Sequence, residues 1–359
     1  MQILTEPIGS IPRPAELVEG LKAFSAGNAG ADELEVLFDR ALKDTIRRME
    51  ATGSPVITDG EQTKSSFATY PLQGMTDLDP NGVVIPFKDG HTRQLPKLTK
   101  GPFRYRSQAA DFYKRASQLT SRPLKQAVIS ASALSLLYPA EGIEGYSSDA
   151  FIADLVSEQE KDIRNCLNAG AFNVQIDFTE ARLSLKLDPS KGLLRSFIAL
   201  NNRVLDRFTA SERKNIGVHS CPGGDHDSTH SADIPYSELL PLLLELQVTN
   251  FYLEYAGEKD KRSVLETLKE NLRPGQRVFL GVTDVLNPRI ETPEEIRDLI
   301  LEAIEYIPLS QLGTTDDCGF SPFADDTSTS RDIAFEKIRS RVEGTRLAAE
   351  SLGKKQIAV

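Results

Sequence analysis

Short runs of apolar and β-branched residues alternate along this chain with longer stretches whose apolar positions recur every three or four residues. The short runs are PVITDG (55–60), QAVISA (126–131), FNVQIDF (172–178), NIGVHS (215–220), NFYLEY (250–255), RVFLGV (277–282) and QLGTT (311–315). Their length and near-continuous apolar character suit strands covered on both faces. Between them, DAFIADLVSEQEKDIRNCLNAG, YSELLPLLLELQ and TPEEIRDLILEAIEYI carry helical periodicity. The last opens with Thr292 as N-cap, Pro293 in the first turn and Glu295 three residues after the cap, the pattern of a capping box. Strands that alternate with helices predict parallel strands joined by crossover helices. With an eighth strand placed near the N-terminus or in a poorly patterned stretch, the pattern predicts a (β/α)8 TIM barrel, read as one domain over 1–359.

Residues 63–106 break this rhythm. DPNGVVIPFKDGHTRQLPKL places NG and DG pairs between alternating residues, which predicts hairpin turns. In a barrel this is a hairpin-like excursion from a βα loop, of the kind that covers active sites.

Composition narrows the partners. The 359 residues are 40% hydrophobic and 26% charged, which describes a water-soluble globular chain rather than a disordered one. A net charge of -10 repels phosphate backbones and anionic lipid, so neither nucleic acid nor membrane is expected as a partner. Three cysteines without regular spacing do not form a disulfide framework and point to a reducing compartment. The opening MQILTEPIGSIPRP lacks the basic and apolar regions of a signal peptide, so the expected location is cytoplasmic.

The polar residues that follow the strands are the informative ones. Asp59 and Glu61 follow the first run, Asp177 and Glu180 the third, and His219 and Cys221 the fourth. Glu254 ends NFYL, Asp284 follows VFLGV, and Cys318 follows QLGTT. In a parallel barrel these strand ends meet at one mouth. Any one of these residues also reads as a solvated loop carboxylate or a helix cap, whereas their recurrence at the same end points to a shared site. His219, Cys221, Glu254 and Cys318 form a donor set of one nitrogen, two sulfurs and one oxygen, which suits zinc rather than magnesium or calcium. The H-x-C pair also fits two small core side chains on one face of a strand. Cys166, on a helical stretch, reads as plain core. Two thiolates and a carboxylate around Zn2+ leave a formal charge of about -1, poor for activating water and better suited to holding an incoming thiol as a nucleophile. Glu254 is then the ligand that yields.

With these residues in view, the chain resembles the C-terminal catalytic domain of cobalamin-independent methionine synthase and its single-domain relatives. That group includes zinc-dependent alkyl transferases acting on thiols, such as the epoxide:coenzyme M transferases. IGSIPRP (8–14), TDGE (58–61) and VQIDFTEA (174–181) resemble three substrate loops, HSC, FYLEYA and DDCGF the zinc-ligand segments, and LGVTDVLNPRIET (280–292) the strand and loop before the last cysteine. The resemblance implies that His219, Cys221, Glu254 and Cys318 bind zinc and that Ser10, Glu61 and Asp177 contact the polar end of the thiol. Read from the chain itself, Ser10 is also a turn residue and Glu61 a helix-start carboxylate.

Two departures separate this chain from the methylfolate-dependent synthases: it has no Trp for pterin stacking, and Leu286 stands where they carry a histidine. The polar stretch CPGGDHDSTHSADIPY (221–236) is longer than theirs and offers Asp225, Asp227 and His230 for proton transfer, with His226 and His230 four apart. His230 and Asp284 are the catalytic candidates. Arg13 and Arg182 read either as partners of a substrate carboxylate or sulfonate or as solvated surface residues. The expected activity is transfer of a methyl or larger alkyl group from a small donor to a small-molecule thiol. The alternatives are an epoxide:thiol transferase of the coenzyme M type, a metal-free lyase or decarboxylase resembling uroporphyrinogen decarboxylase, and a barrel that binds without turnover.

Overall fold

Seven parallel strands form one continuous sheet in the computed structural model, which describes residues 2–357. They are β1 (Leu4–Thr5), β2 (Lys125–Ile129), β3 (Asn173–Asp177), β4 (Ile216–Ser220), β5 (Asn250–Leu253), β6 (Arg277–Gly281) and β7 (Leu312–Thr315). Their order is β1-β7-β6-β5-β4-β3-β2, so each strand from β2 to β7 lies beside its sequence neighbour and β1 adds to β7. This is the mixed α/β, TIM-barrel-type architecture expected from the alternation, with β1 supplying the N-terminal strand. Six of the seven expected runs are strands. PVITDG differs: it is reduced to one parallel bridge, Ile57 to Leu124, at the free edge of β2. The chain turns away there because Gly60 and Glu61 both take left-handed φ, +64° and +55°. The ring is completed between these ends by loop hydrogen bonds, Ile11 N to Gly60 O at 3.0 Å and Thr58 Oγ1 to Gly9 O at 2.8 Å.

β2 to β5 and β7 are buried at every position, which explains why they read as apolar runs rather than alternating ones. The outer helices bury one stripe each; in Ser148–Asn168 it includes Phe151, Leu155, Ile163 and Cys166, so Cys166 is core as expected. The capping box at Thr292 is formed, with Glu295 N donating to Thr292 Oγ1 at 3.2 Å and Thr292 N donating to Glu295 Oε2 at 2.8 Å. Inside the barrel lies a polar layer: Lys125 Nζ donates to Gln175 Oε1 at 2.8 Å and sits 3.8 Å from the centroid of the Tyr252 ring, whose hydroxyl donates to Glu6 at 2.6 Å. None of the described helices is long and apolar enough to cross a membrane.

The excursion is a hairpin, as expected. Val84–Pro86 pairs with Thr92–Gln94 around Asp89-Gly90, where Gly90 has φ +97°. The NG pair makes no such turn; Asn81 N instead donates to Asp79 Oδ1 at 2.8 Å, bending the chain between two short ladders. The hairpin is fastened over the strand ends by Lys88 N to Thr229 O at 3.0 Å and by Arg93, which donates to both oxygens of Asp225 and of Asp325.

Candidate functional site

The end of β4 and the segment after β7 bring a metal-type donor set together. One ring nitrogen of His219 and the sulfurs of Cys221 and Cys318 lie within 4.8 Å of one another. The sulfurs are 3.2 Å apart as free thiols. Register puts His219 beside Tyr252 on β5, and Nδ1 donates to the Tyr252 carbonyl at 3.1 Å. That bond places the ring proton on Nδ1 and leaves a lone pair on Nε2, which is buried with no hydrogen-bond partner among the described residues. A bare imidazole nitrogen beside two sulfurs is a half-finished coordination shell, and its donors are the ones zinc accepts. The mutual hydrogen bond of the cysteines, with burial, holds the Cys221 thiol well above its usual range, and the same bond, with His219, pulls Cys318 well below it.

Glu254 stands apart from this trio. Its Oε2 accepts from Arg182 Nη1 at 3.2 Å, while the same nitrogen donates to Glu258 at 2.5 Å. Burial, then neighbouring Asp317 and Glu258, push the Glu254 carboxyl well up. It shares a small cavity with Cys318, Asp317, Leu286 and Asp284. Asp284 is half-buried there, Oδ1 accepting from Leu286 N at 3.0 Å, and lines neither of the cavities that His230 lines. The two catalytic candidates are therefore on different sides of the cysteines.

On the other side is a narrow cleft of about 70 Å³ that collects Ser10, Glu61, Asp177, His219, His230 and Cys318 from six separate loops and strands. Glu61 owes its position to the left-handed turn, which Asp59 secures by accepting from Glu61 N at 2.9 Å. Lys64, fully buried, donates to Glu61 Oε1 at 3.3 Å and to Ala127 O at 2.9 Å. Sequence reasoning missed Lys64, whose only signal is its place three residues after Glu61. Asp177 accepts from Gln175 Nε2 at 2.8 Å, and burial pushes its carboxyl up to about 7. Ser10 Oγ accepts from Ser321 N at 3.2 Å.

His230 belongs to a tight loop. Ser231 Oγ donates to Pro222 O at 2.9 Å, so it accepts from His230 Nδ1 at 2.9 Å, and the imidazole presents Nε2 as an acceptor. Burial, with Lys186 and Arg182 nearby, lowers its pKa to about 4 and keeps it neutral. Gly223 passes so close that a Cβ there would meet His230 Nε2 at 1.8 Å, at φ +70°. His226 points elsewhere, lying with Asp225 and Asp326 near Arg93; His226 and His230 do not form a pair. Both arginine readings are overturned, because neither side chain is a solvated or substrate-facing cation. Arg13 is buried and ties the Glu61 carbonyl to that of Ser321, each at 2.6 Å, and Arg182 is buried against Glu254, Glu258 and Ile234 O.

Residues 3–334 match the family described as "Cobalamin-independent synthase, Catalytic domain". The chain is 26% identical over 363 residues to a methionine synthase of Saccharolobus islandicus (strain Y.G.57.14 / Yellowstone #1), covering 99% of this chain and 97% of that one. It is 23% identical over 351 residues to a methionine synthase of Sulfurisphaera tokodaii, at 98% and 94% coverage. Among solved structures, a B12-independent methionine synthase from Shewanella sp. W3-18-1, in complex with selenomethionine, superposes with a TM-score of 0.77 at 20% identity over 100% of each chain. At that identity the likeness establishes the fold.

Proposed function

The chain belongs to the family of cobalamin-independent synthase catalytic domains, and from that premise we propose that it transfers a methyl or larger alkyl group to the sulfur of a small thiol at a zinc site. The observation that carries this reading is the unpartnered Nε2 of His219 beside the sulfurs of Cys221 and Cys318. Those three residues would hold the metal, with Glu254 as an exchangeable fourth donor drawn back by Arg182. Zinc there would lower the pKa of a bound thiol and keep its sulfur nucleophilic near neutral pH.

The protein's own groups do the rest. Glu61 and Asp177 receive the polar end of the thiol; with Lys64 offsetting one carboxylate, the pair suits a single ammonium. Ser10 borders the same end of the cleft. His230, held neutral with its Nδ1 turned to Ser231, borders the cleft without adding a charge to it. Asp284 holds the loop that carries Leu286 and, with Asp317 and Glu254, forms the acidic wall behind Cys318. The hairpin residues Ile85 and Phe87 close the cleft against water.

The test is metal content and thioether formation in one preparation. About one zinc per chain, lost together with alkylation of homocysteine in Cys318→Ser, is the expected result. Metal-free protein that alkylates homocysteine at the full rate would sink the proposal.

A further inference from the structure

Past Phe67, Ile85, Arg93, Thr179, His230 and Phe323, the thiol cleft opens into a second chamber of about 380 Å³ beneath the hairpin. Its inner wall is apolar, formed by Ile129, Ala133, Leu134, Leu136 and Leu183. One carboxyl group is built into that wall. Glu180, the first residue of the helix Glu180–Leu187, is 6% exposed, and its Oε1 accepts from Ser130 Oγ at 2.6 Å and Ser132 Oγ at 2.5 Å. Asn201 Nδ2 braces that arrangement by donating to Ser132 Oγ at 2.8 Å. The other oxygen, Oε2, is buried with no partner among the described residues. A carboxyl fastened on one oxygen and unanswered on the other costs stability unless a ligand completes it.

Resting on the transferase reading above, we propose that Glu180 is the acid of the alkyl donor's chamber, giving its Oε2 proton to the oxygen or nitrogen that leaves the transferred carbon. The thiolate electron pair forms the new S–C bond as the C–O or C–N bond breaks. The departing pair stays on the heteroatom, which takes the Glu180 proton, and water restores that proton afterwards. The chamber accepts donors with an apolar or aromatic body and a leaving atom that is basic once freed.

Leu286, His230 and the Arg93–Asp325 pair are unsuited to this step. Leu286, beside Cys318, has no proton to give. His230 has its Nδ1 proton committed to Ser231. Arg93 and Asp325, the charged residues at the chamber mouth, are paired with each other at 2.9 Å. Burial pushes the Glu180 carboxyl up to about 7 against the pull of the two serine hydroxyls and of the backbone N–H groups of Glu180 and Ala133, so a neutral fraction is present near neutral pH. On its own helix, Arg182 and Lys186 are turned to Glu254, Glu258 and Asp233.

The experiment compares donors that differ in their need for a proton. Zinc-loaded wild type, Glu180→Gln and Glu180→Asp are given homocysteine with methyl iodide, whose leaving group needs none, and with an epoxide or methyltetrahydrofolate, whose leaving atom does. In Glu180→Gln, transfer from the proton-requiring donor is expected to fall about a hundredfold more than transfer from methyl iodide, the usual scale of a general acid. Glu180→Asp is expected to fall between the two. An equal fall with both donors, or no fall, would show that Glu180 only fastens Ser130 and Ser132 and overturns the assignment. A wild type that uses methyl iodide but neither of the other donors also overturns it, while leaving the thiol site standing. Failure of the wild type with every donor overturns the transferase reading itself. Methyl iodide turnover by each variant doubles as its folding control.

Discussion

The Nδ1 of His219 lies 3.1 Å from the carbonyl oxygen of Tyr252 on the neighbouring strand, a bond fixed by strand register. Backbone geometry thus selects the tautomer that leaves Nε2 bare toward the two cysteines. Replacing the ring removes a ligand, whereas losing an outer partner of a ligand typically costs about 10–100-fold in affinity. His219→Ala is therefore expected to weaken zinc binding by more than about 100-fold in a competition titration against a chelator. Unchanged affinity would remove His219 from the metal site.

Arg182 pairs with two carboxylates at once, buried Glu254 at 3.2 Å and half-buried Glu258 at 2.5 Å, while donating to the Ile234 carbonyl. Arg182→Met would leave both carboxylates without their cation in a dry setting. The expected loss is about 3–5 kcal/mol in denaturant unfolding, the usual result of breaking a buried pair on one side. Freed of Arg182, Glu254 is also expected to reach the metal more readily, so the variant should bind zinc at least as tightly as the wild type under conditions where it is folded. Weaker zinc binding by folded Arg182→Met would mean that the arginine positions Glu254 as a ligand instead of drawing it back.

Asp162 provides a pH test away from the metal. It is fully buried, accepting from Tyr70 Oη at 2.5 Å and from Ala109 N at 2.7 Å, and burial pushes its pKa from 3.8 to about 6. A carboxyl whose folded pKa is raised favours the folded state while protonated; that contribution is whole below about 3.8 and lost as pH rises through about 6. A shift of roughly two units corresponds to about 3 kcal/mol. Between pH 4 and 6, the wild type should therefore lose about 2 kcal/mol of that stability relative to Asp162→Asn, which has no proton to release. Parallel stability curves for the two proteins over that interval would refute the assignment.

The strands and the grouping of His219 with the two cysteines were legible because both follow local rules. Continuous apolar runs mark strands covered on two faces, and a parallel barrel sends every strand's C-terminal residues to one mouth, so His219, Cys221 and Cys318 could be grouped before any coordinates. What stayed hidden depends on contacts remote in sequence. PVITDG reads as a strand, yet two left-handed residues at its end curtail the ladder. Arg13 and Arg182 look like surface cations because only their distant partners, Ser321 and Glu254, reveal that they are buried. Glu254 reads as a fourth donor from its strand-end position, while its contact with Arg182 depends on a residue far away in the chain. Glu180, read only as a strand-end carboxylate, acquires significance from two serines some fifty positions earlier and from a chamber roofed by the hairpin.

The thiol's identity should be written in Asp177. Strand register sets this residue beside His219, and a relay from the barrel interior aims it: Lys125 donates to Gln175 Oε1, which turns the Gln175 amide nitrogen toward Asp177 Oδ1 at 2.8 Å. Across the cleft, Lys64 already answers Glu61. Asp177 is thus the carboxylate left to receive a substrate ammonium, and a hydrogen bond between charged groups contributes about 1.5–3 kcal/mol. Asp177→Asn is therefore expected to raise KM for homocysteine by about tenfold or more, while a thiol of similar length without an amino group, such as 4-mercaptobutyrate, shows little change. Because the substitution leaves His219, Cys221 and Cys318 in place, zinc content should remain near one per chain. If both thiols lost binding equally, Asp177 would be shaping the cleft rather than reading the ammonium, and the natural substrate would have to be sought among thiols without one.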